Sequence, residues 1–427
     1  VYKRQASYMG GLAAGSWLVS KCVDQITRPV LLYGVLEAGI AVCAIAMPWG
    51  LGLVEHLQIQ WFGGASEPPA AGSLSQIMFG LTFSFALILP PTAMMGATLP
   101  LLTKQVVHRD RQVGPRIGIL SGINTFGAVA GTLAAAFWLL PALGLARTTW
   151  VGAATNLGIF ALVYLLARNS TAALGSHEDP VSEPPGDKEH EFEFAARRYP
   201  LVLWFAAAAG AVAFCYEIIF TRMLGHGLGG SIYAFATMLA GFLLGIALGG
   251  TLASRIAIRR DGSVVALIYT QSLAGVSALF AYHLIDRVAG WTFTDWGGSS
   301  ATLTQVVISI LILLPTATFI GATFPLATRI FARDQSEAAT SSARVYFFNV
   351  LGGIAGALMT GIFLLPSQGY QGAAITAILL NACLVFGLAW VMRARPIHFV
   401  VAVSVIVLLV CLPPVMPDRV MRASVLN

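Results

Sequence analysis

Apolar residues in this chain neither alternate nor keep to one face of a helix. They come as runs of close to twenty residues, parted by short polar turns. Such runs cover 31–54, 74–96, 117–140 and 148–167, then 201–221, 231–253, 264–285, 303–321, 346–365, 372–392 and 397–416. A shorter one at 7–20 brings the expected number to about twelve. A bilayer core takes roughly 20 apolar residues per helix, and backbone inside hydrocarbon must satisfy its own hydrogen bonds. The pattern therefore predicts an all-α integral membrane protein, a polytopic bundle of about twelve transmembrane helices.

The runs repeat. Leu89 to Pro100 contains Pro90, Gly96, Ala97, Thr98 and Pro100, and Leu314 to Pro325 contains Pro315, Gly321, Ala322, Thr323 and Pro325 at an offset of 225. Each copy leads to a basic residue, Lys104 or Arg329, and its prolines are expected to bend or break a helix. The same offset carries Asn124 onto Asn349, Gly127 onto Gly352, Gly131 onto Gly356, Asn156 onto Asn381 and Arg168 onto Arg393. Upstream the offset becomes 234, which aligns Gly11, Gly15 and Lys21 with Gly245, Gly249 and Arg255. Two tandem, parallel repeats follow, with the extra residues assigned to a polar loop at 55–73.

The expected layout is a first membrane repeat at 1–168, an acidic, proline-containing linker at 169–200, and a second six-helix repeat at 201–395. A further helix at 396–416 and a short link at 417–427 follow. Val1 to Gln5 are polar where the second copy is apolar. The expectation is an artificial start, with the first helix of the first repeat missing.

Composition agrees. Of the 427 residues 57% are hydrophobic and 10% charged, with a mean hydropathy of +0.78, beyond what a soluble fold can bury. The net charge of +6 does not call for nucleic acid, because alternating passes put most Lys and Arg on one side. Lys21, Lys104, Arg116, Arg168, Arg255 and Arg329 mark that side, which the positive-inside rule assigns to the cytoplasm. The linker is expected there too. The five cysteines, Cys22, Cys43, Cys215, Cys383 and Cys411, stand singly and suggest neither a disulfide framework nor a metal site. Gly225 to Gly230 matches a dinucleotide fingerprint in letters only. It joins two membrane helices, not a strand and a helix.

Polar residues inside apolar runs are the candidate site, since each is costly in a bilayer and needs a partner. Glu37 and Glu217 are the carboxylates, with Arg222 five residues beyond Glu217. Gln271 occupies the place of Glu37 in the second copy. Asn124 and Asn349 either line a path or tie helices together. Glu37 and Arg222 also have a plainer reading, as chains reaching for the membrane surface. No residue set suggests catalysis, a metal or a cofactor.

Tyr216-Glu217, Thr221-Arg222, Ser231 to Ala234, Phe242 to Gly249, Gly96 to Leu101 and Leu139 to Pro141 together resemble the membrane region of bacterial fused MFS/spermidine synthase-like proteins. That resemblance implies a soluble aminopropyltransferase domain after the helices, an absent partner toward which 418–425 would lead. This chain alone is expected to catalyse nothing. It also implies a bacterial inner-membrane location and a cationic substrate, a polyamine or a relative of one. A looser resemblance is to major facilitator transporters, although Ser20 and Ser254 stand where those carry an acidic residue. The leading expectation is a transporter-like membrane domain with Glu37 and Glu217 as cation-binding carboxylates. A non-transporting anchor for the synthase, or a stand-alone exporter, are the alternatives.

Overall fold

The computed structural model describes residues 2–62, 74–170, 199–228, 232–292, 299–332, 334–392, 395–415 and 417. Among them the chain is helical and has no strand. The linker expected at 169–200 lies almost wholly outside the described residues, as do Arg393 and 418–427.

The first repeat comprises α1 (Tyr2–Cys22), α2 (Pro29–Phe62), α3 (Leu74–Val106), α4 (Val113–Ala134) and α5 (Leu140–Ser170). The second comprises α6 (Tyr199–Leu228), α7 (Ile232–Ala253), α8 (Arg260–Thr292), α9 (Ser299–Gly321) with α10 (Thr323–Phe331), α11 (Ala338–Leu358) and α12 (Leu365–Val391). Helix α13 (Pro396–Cys411) follows. Eight stretches are long and apolar enough to cross a bilayer. Two of these, Asp110–Arg168 and Ala338–Val391, are double length and turn at Gly144 and Gly369. Each holds two helices, which raises eight to ten, and with α1 and α13 the described residues form twelve helical segments, counting α9 and α10 as one.

The duplication shows in the backbone itself. A π-helical segment at Ala135–Leu139 is matched by one at Met359–Leu364, and Gly144 (φ 71°) by Gly369 (φ 62°), 225 residues on. Packing follows the same register. A β-carbon on Gly15 would collide with the Ala93 carbonyl and one on Gly96 with the Leu12 carbonyl. At the equivalent places Gly249 faces the Thr318 carbonyl and Gly321 the Ile246 carbonyl. Lacking a hydrophobic drive in lipid, helices pair through such close backbone approach. The glycine seams therefore lock α1 to α3 and α7 to α9.

Two expectations need correction. α3 runs as one helix through Pro90, Pro91 and Pro100, whereas the second copy divides at Ala322, between α9 and α10. Around the first motif Thr92 Oγ1 donates to the Ile88 carbonyl at 2.7 Å and Thr98 Oγ1 to that of Met95 at 2.7 Å. The polar stretch read as a loop from residue 55 is helical to Phe62, because α2 extends for 34 residues.

The repeats meet through reciprocal helix pairs, α1 on α11 and α4 on α7. Ser16 Oγ donates to the Ala343 carbonyl at 2.7 Å, and their counterparts, Gly250 and Gly118, face each other across the other pair. Each repeat thus presents the same two surfaces to its twin, as a two-fold-like relation between parallel repeats requires.

Burial is unequal. The most apolar part of α2 is 11% buried against 50% for its counterpart in α8, and the α4–α5 stretch 6% against 44% for α11–α12. The two large core clusters lie within 202–409.

Candidate functional site

In the second repeat the polar residues form a short seam. Gln271, on α8 and 2% exposed, donates from Nε2 to Thr323 Oγ1 at 2.6 Å. The Gln271 backbone carbonyl accepts from Asn381 Nδ2 on α12 at 3.0 Å. Three helices are thereby tied by amides and a hydroxyl, the partners that polar groups in a bilayer require. Asn381 Oδ1 stays buried without a hydrogen-bond partner. Close to Asn381, the Tyr216 hydroxyl points at the Ala377 carbonyl at 3.5 Å.

The first repeat uses the same positions differently. Glu37, at the register of Gln271, is half-buried on α2 and lies beside the Tyr33 side chain one helical turn back. Thr98, at the register of Thr323, bonds back into its own helix. A neutral amide seam in one half corresponds to a carboxylate in the other. Only the carboxylate can offset the charge of a cation inside a low-dielectric region.

Asn124 and Asn349 part company. Asn349 Nδ2 donates to the Ala206 carbonyl of α6 at 3.1 Å, while its own carbonyl lies where a side chain on Gly210 would sit. Asn124 is exposed. Glu217 is half-buried on α6, and Arg222 is exposed nearer that helix's end. The seam joins Gln271 to the motif residue Thr323, but Glu37 and Asn124 lie in the other repeat. The remaining motif residues, Gly96, Pro100, Gly321 and Pro325, are buried and shape packing.

The basic end carries further contacts. Lys104 Nζ donates to the carbonyls of Val23, Asp24 and Ile26 at 2.7, 2.8 and 2.9 Å. Arg329 Nε donates to the Ile258 carbonyl at 3.1 Å, and Ile258 is the counterpart of Asp24. The basic residue after each motif thus clamps the turn that follows the first glycine helix of its own repeat. Asp24 and Asp110 then reach across. Asp24 Oδ2 accepts from Thr340 Oγ1 at 2.9 Å, and Asp110 Oδ1 accepts from the Gln335 backbone N–H at 2.7 Å. Asp110 and Gln335 are themselves counterparts, so the two repeats touch near their common axis. Sequence reasoning passed over both aspartates, although they are the acidic residues inside the basic turns Lys21 to Arg28 and Arg109 to Arg111.

No family model and no curated protein matches this chain. Among solved structures it is similar to the human organic anion transporter MFSD10 (TETRAN), with a TM-score of 0.52 over 91% of this chain and 83% of that one, at 14% identity. The E. coli fucose:proton symporter FucP aligns over 92% and 98% at 12% identity with a TM-score of 0.47. The nucleoside transporter NupG aligns over 92% and 99% at 14% identity, with a TM-score of 0.40. The MFSD10 likeness carries the fold. The chain has an MFS-like, tandem-repeat helical membrane fold, and membrane-spanning helices of this kind lie in a lipid bilayer.

Proposed function

We propose that this chain is a transporter that moves a small organic cation by rocking its two repeats about their shared seam. The observation that supports this most is the construction of the seam. Each repeat is locked internally by glycine contacts, yet the repeats meet through small residues on two reciprocal helix pairs, Ser16 against Ala343 and Gly118 against Gly250. Rigid halves with a smooth common surface suit alternating access. At the basic end two small apolar clusters join the halves, together with exchangeable hydrogen bonds from Thr340 to Asp24 and from Gln335 to Asp110.

A cationic substrate rests on Glu37 and Glu217, carboxylates in membrane helices of opposite repeats. A polyamine, with ammonium groups spaced along a flexible chain, could engage both in turn. The resemblance to spermidine synthase-like proteins favours that substrate, a bacterial inner membrane, a cytoplasmic basic end and a synthase domain as partner.

The test is uptake of labelled spermidine into proteoliposomes. Glu37→Gln and Glu217→Gln should each cut uptake by roughly tenfold, equivalent to about 1.4 kcal/mol, with the protein still folded. Wild-type uptake that both variants match would remove the carboxylates from the account. Uptake of neutral or anionic solutes alone would remove the cation.

A further inference from the structure

The face of α6 that packs into the second repeat has no equivalent occupant in the first. In the second repeat α6 lies on α11 and α12. A β-carbon on Gly352 would collide with the Ala207 carbonyl and one on Gly356 with the Ala211 carbonyl. Phe348 stacks edge-on against Trp204, and Tyr370 bonds His226 at 2.7 Å. Each of these contact residues has a counterpart 225 residues earlier, and each counterpart is bare. Gly127 and Gly131, at the registers of Gly352 and Gly356, have nothing within 4 Å of a built β-carbon. Ile123, at the register of Phe348, is 65% exposed, and Leu145, at that of Tyr370, 76%. The counterpart of Asn349, Asn124, is exposed as well.

A lipid-facing surface has no use for an Asn and two glycines in register, because lipid chains neither bond an amide nor need a backbone to come close. A helix does both. The bare face repeats the Asn and the two glycines of the surface that holds α6, in the same register. It also accounts for the weak burial of the α4–α5 stretch.

We propose that the groove of Asn124, Gly127 and Gly131 on α4 is the docking site of one further transmembrane helix of α6's chemistry. That helix carries small residues at the places of Ala207 and Ala211, and a backbone carbonyl for Asn124. Its position in the fold is directly ahead of α1, as α6 stands directly ahead of α7.

The experiment joins a copy of residues 199–231 ahead of residue 2, in a background with all five native cysteines replaced by serine. Gly127→Cys is paired with Ala207→Cys of the added copy, and in a second chain Gly131→Cys with Ala211→Cys. Ile119→Cys, about 80° round α4 from Gly127 and about 120° from Gly131 by helical geometry, serves as the control position. In lipid vesicles, oxidation should give an intramolecular disulfide at both groove positions, at least tenfold faster than at 119. The added helix should also raise the melting temperature over the chain without it. Crosslinking of Gly127→Cys between two chains while the added helix is present would assign the groove to a second copy and overturn the proposal. Rates at 127 and 131 no faster than at 119, with no rise in melting temperature, would leave the face to lipid and overturn it too.

Discussion

At the scale of single residues the fold depends on places where a side chain must be absent. Gly15 and Gly249 each admit a carbonyl from the neighbouring helix into the volume a β-carbon would take. Gly15→Leu and Gly249→Leu should therefore each destabilise by about 1–3 kcal/mol. Gly52, with open space around it, should accept alanine with little change. Thermal melting in detergent distinguishes the two classes. Asn349 makes a different contribution, one amide donated to the Ala206 carbonyl. Asn349→Ala should cost about 0.6 kcal/mol, the average for interhelical hydrogen bonds in a membrane, and loosen α6 from α11. Equal melting temperatures for Asn349→Ala and the wild type would show that the bond contributes nothing.

At the scale of elements, the double-length stretches turn back where Gly144 and Gly369 take φ values of 71° and 62° with extended ψ. Such conformations are essentially confined to glycine and cost about 1–3 kcal/mol for other residues. Alanine at either site should shift the turn and lower the melting temperature, whereas unchanged melting would place the break elsewhere. Most of this architecture was legible in the sequence. Runs of apolar residues marked the passes, and the offsets of 225 and 234 paired Gly15 with Gly249 and Gly96 with Gly321, which share an environment. Helix continuity through Pro90 and Pro91 was not legible, because proline reports a lost donor and not the neighbouring helix against which α3 is packed. The candidate site was half legible. Gln271 stood out as a polar residue in an apolar run, but its partners Thr323 and Asn381 lie 52 and 110 residues away. Only packing brings them together. Asp24 and Asp110 were hidden because an acid among surface arginines looks like ordinary solvated charge.

At the scale of the whole molecule, the account rests on two internally rigid halves that part along one seam. Glycine contacts within each half recur at equivalent residues, while at the basic end the halves meet through two small apolar clusters, one reaching Ala339 and the other Ala332 and Ala338, and through hydrogen bonds accepted by Asp24 and Asp110. Asp110→Ala should weaken that closure and shift the protein toward the conformation open at the basic end. The measurable result is faster labelling of cysteines placed beside the seam there, with melting nearly unchanged. The most direct test of the central claim is spermidine uptake by the protein expressed from its natural reading frame. It would carry Asp24→Cys and Thr340→Cys in a background otherwise free of cysteine. The account predicts uptake in the reduced protein, its loss when the disulfide closes the seam, and its return on reduction. Undiminished uptake with the disulfide fully formed would contradict it, because transport would then proceed without the two repeats parting at their basic end.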